Sequence, residues 1–248
     1  MLRALDLDAS GSDFGGSPAQ VAAQAAAPLL QTAAVVNGGG ASWADQSDEA
    51  LLAQGRASAQ GARAFAQIAL PHLGDLGRRL AEPGARILDV GTGVGALAVA
   101  YAETFPAAHV VGIDLSERAL RLAEATVAAS AAASRVELRR LDVAELADEA
   151  GFDLAWVPAP FVPEAALRQG VARIAAALRP GGWAMLAHGK YGQDPVEDAL
   201  NRFKTVAFGG TPLDDAQAAA LLTGVGLVDV RPAPTPPGAP AITLGRRA

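Results

Sequence analysis

The sequence predicts an α/β fold: a doubly wound, mostly parallel sheet with an antiparallel last strand, preceded by a helical extension. Three observations predict it. From residue 86 onward, short hydrophobic runs alternate with longer amphipathic or alanine-rich runs, the pattern of successive βαβ units. The first junction, "LDVGTGVGA", places Gly91, Gly93 and Gly95 between a strand and a helix. The last two hydrophobic runs, "VGLVDVRP" and "AITLGRR", are joined by "APTPPGAP". That joint is too short to hold a crossover helix, so the two strands pair antiparallel.

The elements follow in order. Residues 1–17 are rich in Gly, Ser and Asp and read as loose. Residues 18–36 read as helical with Pro28 as a kink, and "NGGG" at 37–40 as a flexible joint. A helix or helix pair is expected from Asp45 to about Leu70, and a shorter helix over 72–81 after Pro71. Strands are expected at 86–90, 108–113, 135–140, 152–157 and 182–188, before the final pair. Helices are expected at 95–105, 117–129, 164–178, 195–207 and 214–223. The organisation is therefore a helical extension over 1–60 and one α/β domain over 61–248.

Composition bounds the function. Hydrophobic residues make up 51% of the 248 and charged residues 19%, enough for a sizeable core and unlike a disordered chain. The net charge of −6 makes nucleic acid an unfavoured partner. No cysteine and only three histidines are present, which argues against thiolate chemistry and a zinc site. "MLRALDLDASGSDFGGS" lacks the apolar core of a secretory signal. The alanine-rich stretch near 22–34 is interrupted by Gln24, Pro28 and Gln31 and is a poor membrane span. The expectation is a cytoplasmic protein with no membrane partner.

The glycine junction admits a ligand, because glycine lets backbone approach without a Cβ in the way. Gly91, Gly93 and Ala96 also satisfy a dinucleotide fingerprint, so a nicotinamide-dependent oxidoreductase is one reading. A triphosphate loop is excluded, since no Lys-Ser or Lys-Thr follows. Two acids discriminate. Asp89, two residues before Gly91, would repel a pyrophosphate and suits a cationic ligand. Asp114, at the end of the second strand, is placed to accept from ribose hydroxyls. Ribose, a positive charge and no phosphate together describe S-adenosylmethionine.

The segments "ILDVGTGVG", "VVGIDLS", "RLDVAEL", "FDLAWVPAPF" and "ALRPGGWAMLAHG" resemble, in order and spacing, the class I S-adenosylmethionine-dependent methyltransferases. The resemblance covers about residues 60–248. It implies a seven-stranded sheet with helices on both faces and an antiparallel last strand. It also implies that Asp89 and the backbone of Gly91, Thr92, Gly93 and Gly95 hold the methionine moiety. Asp114 would then hold the ribose, Leu115 the adenine face, and Asp142 the adenine amino group with Val143 beside it. From the residues alone, Asp114 with Ser116 also reads as a helix cap, and Asp142 as a solvated loop acid. Extensions like residues 1–60 cover the cofactor or shape the substrate pocket in this family.

On the acceptor side, Val157-Pro158-Ala159-Pro160-Phe161 lacks the Asn/Asp of enzymes that methylate base amino groups, and carries no carboxylates for magnesium. No metal is expected. Pro158, Pro160 and Phe161 are candidate substrate-pocket walls, and Trp156 reads as core. His188, at the end of the fifth strand, is a candidate general base, against the reading of a hydrogen-bonded structural histidine; Tyr191 is the alternative catalytic candidate. His72 is a lesser candidate and His109 reads as surface. Trp43 reads either as a lid residue touching substrate or as the anchor of a packed helical layer, and that layer is also a candidate homodimer interface. The expected function is metal-independent methyl transfer to a small molecule, at oxygen. The alternative within the same resemblance is S-adenosylmethionine binding without transfer.

Overall fold

Seven strands form a single sheet in a computed structural model that describes residues 26, 29–34, 36–37, 43–192, 194–207, 209–236 and 239–248. The expected loose start, the Pro28 kink and most of the glycine joint lie outside these residues; 29–34 are helical. The strands are β1 (Arg86–Val90), β2 (His109–Asp114), β3 (Val136–Arg140), β4 (Phe152–Pro158), β5 (Leu178–His188), β6 (Val228–Pro232) and β7 (Ala241–Arg246). Their spatial order is β3-β2-β1-β4-β5-β7-β6. The pairs among β1 to β5 are parallel, and β7 runs antiparallel to both β5 and β6. The sheet thus has the antiparallel last strand that the sequence predicts.

From residue 48 on, the α-helices are α1 (Asp48–Ala64), α2 (Leu76–Leu80), α3 (Ala96–Thr104), α4 (Glu117–Ala128), α5 (Glu164–Ala177), α6 (Pro195–Ala207) and α7 (Asp215–Gly224). Short polar side chains start three of them. Ser47 and Ser116 accept from backbone N–H groups three residues on, and Asp214 forms a reciprocal capping box with Gln217. Two apolar cores lie on the two faces of the sheet. Leu88, Val111, Phe152, Leu186 and α5 and α7 residues build one; Ile87, Leu97, Tyr101, Leu154 and Met185 build the other with α1 and α2. Central strands buried on both faces read as unbroken hydrophobic runs for this reason.

Helix α1 passes through a wide turn at Phe65–Ala69 and a tight turn at Leu70–His72 before α2. It runs unbroken past residue 60 and presents a small-residue face to the elements after β1. A Cβ on Gly55 would overlap Val94 Cγ2, and one on Gly61 would lie 3.8 Å from Leu97, so α1 packs closely against the loop and helix after β1. β5 also begins earlier than expected. Leu178 pairs with Phe152 and Trp183 with Leu154, and Arg179-Pro180-Gly181-Gly182 bulges out between them.

From β1 the strands run outward through β2 and β3 on one side, and from β4 through β5, β7 and β6 on the other. The chain therefore leaves β1 and β4 in opposite directions, and a crevice opens between their carboxyl ends, where ligands bind in sheets of this kind.

Candidate active site

The loop after β1 turns by means of glycine. Gly91, Gly93 and Gly95 have φ of +63°, +55° and +73°, a region that side chains disfavour. The loop is pinned from below. Thr92 donates its backbone N–H to the Ile113 carbonyl at 3.0 Å and its hydroxyl to Asp89 Oδ2 at 2.7 Å. Thr92 also lies against Gly112 of β2, where a Cβ would come within 2.6 Å of its hydroxyl. Gly93 donates its N–H to Asp114 Oδ2 at 2.8 Å, and Ser116 donates to Oδ1 at 2.8 Å.

Asp89 and Asp114 thus flank one loop at the switch point. Asp89 is 1% exposed. Burial pushes its carboxyl up to about 7; the Thr92 hydroxyl opposes this and the charge of Asp114 adds to it. Burial also raises Asp114, against hydrogen bonds from Ser116, Gly93 and Leu115. No cationic side chain offsets either acid among the described residues. A cation brought to this loop therefore meets negative charge that no cationic side chain of the described residues neutralises. Beside it, Leu115 is exposed although apolar. These features fit a ligand with a positive charge, a hydroxylated sugar and a flat apolar base.

Asp142 caps the short turn Val143–Glu145, its Oδ1 accepting from Ala144 N–H at 2.9 Å. Val143 is buried against α5, where a Cβ on Gly170 would lie 2.6 Å from it. Only its backbone is available to a ligand.

Across the crevice, Pro158 ends β4 and contacts the loop: a Cβ on Gly91 would lie 3.7 Å from its ring. Pro160 and Phe161 sit in the tight turn Ala159–Phe161. Thr211 holds that turn, donating its N–H to the Ala159 carbonyl at 2.9 Å and its hydroxyl to the Val162 carbonyl at 2.8 Å. The Phe161 ring stacks on Trp43, with centroids 5.4 Å apart and planes 11° apart. The segment before α1 therefore crosses to the β4 side. Its other anchor is Arg118 of α4, which donates to Asp48 Oδ1 at 2.7 Å and to the Gln46 carbonyl at 2.6 Å. Sequence reasoning named Trp43 and Phe161 separately but missed their contact, and it missed Arg118.

His188 is 1% exposed. Its Nδ1 lies 3.0 Å from the Gly189 carbonyl and its Nε2 2.8 Å from Thr243 Oγ1 of β7. The tautomer with the proton on Nδ1 satisfies both, donating to the carbonyl and accepting from the threonine. Burial lowers its pKa, opposed by the Gly189 carbonyl and by Asp215 and Asp214. Both ring nitrogens are occupied, so the ring offers no free lone pair to an acceptor. Tyr191 folds back over Gly189, with Arg202 of α6 on its ring. Trp156 is half-buried against one core, and His72 and His109 are exposed away from these groups.

Residues 87–182 match the model of a methyltransferase domain. The release factor glutamine methyltransferase of Cereibacter sphaeroides is 51% identical over 63 residues, which is 25% of this chain and 23% of that protein. The chain spans between about a quarter and about half the length of the curated relatives it matches. Among solved structures, mitomycin 7-O-methyltransferase superposes with a TM-score of 0.63 at 21% identity, covering 90% of this chain and 68% of that one. Human N-acetylserotonin methyltransferase, solved in complex with S-adenosylmethionine, gives 0.63 at 15% identity, covering 90% and 67%. These two share the fold. No helix among the described residues is long and apolar enough to cross a membrane. With its strand order, its glycine loop and the matched segment, the chain carries a methyltransferase domain on a Rossmann-like methyltransferase fold, and the cofactor this domain indicates is S-adenosylmethionine.

Proposed function

We propose that this protein transfers the methyl group of S-adenosylmethionine to the oxygen of a small aromatic acceptor. The observation that carries the reading is a pair of carboxylates without a cationic partner among the described residues, Asp89 and Asp114, on the loop that the apolar turn Pro158–Phe161 borders. When bound, the cofactor supplies an electrophilic methyl carbon that passes to an acceptor lone pair as its bond to sulfur breaks and sulfur keeps the electron pair. Asp89 and the backbone from Gly91 to Gly95 hold the methionine end. Asp114 takes the ribose hydroxyls, Leu115 covers the adenine, and Asp142 with the backbone of Val143 meets its edge. Pro158, Pro160, Phe161 and Trp43 line the acceptor's place and exclude water.

Rate enhancement then rests on alignment, which suffices when the acceptor is already nucleophilic. His188 serves as a buried tie between β5 and β7, and the acceptor reacts as the phenolate, its proton already lost to solvent before it enters the site. The relatives named release factor glutamine methyltransferases suggest a protein acceptor instead. The absence of an amide or acid in Val157–Phe161 speaks against that for this chain. Incubation with a labelled methyl donor, a panel of phenolic small molecules and a cell extract tests the proposal. Label in the small-molecule fraction is expected. Label in protein alone, or saturable cofactor binding without transfer, would overturn it.

A further inference from the structure

The acceptor wall described above is apolar, but one corner of the same edge is not. Tyr191 lies three residues beyond the end of β5, and its hydroxyl is buried with no hydrogen-bond partner. A buried donor left unpaired is unfavourable and marks a place where a partner belongs. The Arg202 guanidinium sits 4.2 Å over the Tyr191 ring. Arg202 is exposed and has no carboxylate partner among the described residues. The nearest acid of its helix, Asp198, is already engaged, accepting from Gly192 N–H with both oxygens, at 3.0 and 2.8 Å.

Both groups belong to the edge where the acceptor is placed. Tyr191 lies in the segment that leaves the β5 end after His188. The C-terminal end of α6 is joined to the β4 turn: Gly210 packs against the Pro160 carbonyl so closely that a Cβ would overlap it, and Thr211 bonds Ala159. A guanidinium presents a planar fork that matches a carboxylate, and a phenol hydroxyl adds one more donor beside it. The cation over the ring holds the fork at the tyrosine rather than leaving it to swing freely.

We infer that Tyr191 and Arg202 form an anion-recognising corner of the acceptor site, and that the acceptor is an aromatic hydroxy acid. Its carboxylate pairs with Arg202 and accepts from the Tyr191 hydroxyl, and its ring lies along Phe161 and Trp43. This rests on the proposed methyl transfer to a small aromatic oxygen, but it concerns binding and is tested by binding. The probes are the three hydroxybenzoate isomers and their primary amides, titrated into protein saturated with S-adenosylhomocysteine and followed by calorimetry. At least one acid is expected to bind tenfold or more tighter than its amide. R202M should bring the acid-to-amide ratio to within about threefold of unity, R202K should restore part of it, and Y191F should reduce it severalfold. A fold defect would weaken acid and amide alike and leave the ratio in place. Equal binding of acids and amides by the wild-type protein, no binding of any acid, or a ratio that survives R202M would overturn the inference. Failure of the methyl-transfer reading is seen separately, as absent label transfer in the assay described above.

Discussion

Asp153 at the start of β4 and Asp89 near the end of β1 are buried carboxylates on neighbouring strands, 2% and 1% exposed. Their surroundings differ at every atom. Asp153 Oδ1 accepts from Arg79 Nη2 at 2.7 Å and Nε at 3.2 Å; Oδ2 accepts from Arg179 Nη1 at 2.7 Å and the Arg86 backbone N–H at 2.9 Å. Two cations and four donors leave nothing for a ligand to add. Asp89 has one neutral partner, Thr92, and a second acid nearby. The amino edge of the sheet is closed electrostatically, and the carboxyl edge is left open. The difference teaches where a ligand belongs: a buried charge that the fold leaves uncompensated is kept at a cost in stability, and a cationic ligand recovers it.

The comparison breaks most visibly at Asp153. In Asp153→Ala, Arg79 and Arg179 lose their shared partner at the base of α2, β4 and β5. Breaking a buried pair from one side costs about 3–5 kcal/mol. Both arginines reach solvent, with 17% and 34% of their side chains exposed, so the lower end, about 3 kcal/mol, is expected. Thermal denaturation should show a fall of roughly 10 °C. Calorimetry below the transition should show unchanged affinity for S-adenosylhomocysteine, because no cofactor contact has been touched.

Asp114 inverts that pattern. Asp114→Ala removes the acceptor proposed for the ribose hydroxyls, and hydrogen bonds to a charged group are worth about 1.5–3 kcal/mol. Cofactor affinity should fall by roughly 10- to 150-fold by calorimetry. An unchanged affinity would remove Asp114 from the site and leave it as the tie for the Gly93 and Ser116 amides.

Asp89 sharpens the comparison through pH. Its folded value of about 7 lies above the roughly 3.9 of an unfolded aspartate. Between these values the folded chain binds more protons than the unfolded one. Its contribution to stability is therefore fully present below about pH 4, falls as pH rises to about 7, and is level above. A cationic ligand favours the ionised form, so cofactor affinity should increase with pH up to about 7, by at most about tenfold per unit, with proton release on binding. Asp89→Asn should remove both slopes. Subtracting the variant's profile from the wild type's cancels the titration of the ligand itself.

Much of the fold was legible because the period of hydrophobic residues changes sharply between strands and helices. "RILDV" and "HVVGID" stood out as strands, and the two acids were found by their distance from the glycines. The sequence places the start of β5 late because Arg179-Pro180-Gly181-Gly182 has the composition of a turn. The strand pairs on either side of this bulge, which no local signal reveals. Contacts over long separations were equally hidden: Arg118 to Gln46, Arg79 to Asp153, and the stacking of Trp43 on Phe161. Each joins residues whose local sequence is ordinary, and only the packing of α1 and α2 against the sheet brings them together. His188 was legible as a strand-end histidine, but its partner Thr243 lies on β7, whose place beside β5 the local pattern did not give.

The smallest effect is expected at His188, which falls on the satisfied side of the comparison. Like Asp153 it is a buried polar group whose partners the fold itself supplies, through the Gly189 carbonyl and Thr243. Burial lowers its pKa below the usual value, so the ring is neutral near pH 7 and takes up a proton only in more acid solution. The unfolded chain binds that proton more readily, so the ring's contribution to stability is present above the unfolded value, near 6.5, and declines as pH falls below it. His188→Gln keeps a polar group in reach of Thr243 while removing the ring. It should lower stability by about 1 kcal/mol, the worth of one hydrogen bond. It should leave methyl transfer within about threefold of wild type, with the same pH–rate profile. A general base contributes typically about 10²–10⁴-fold. A loss of that size, with an acidic limb that disappears in the variant and unchanged cofactor affinity, would show that the ring turns from Thr243 to the acceptor when substrate binds.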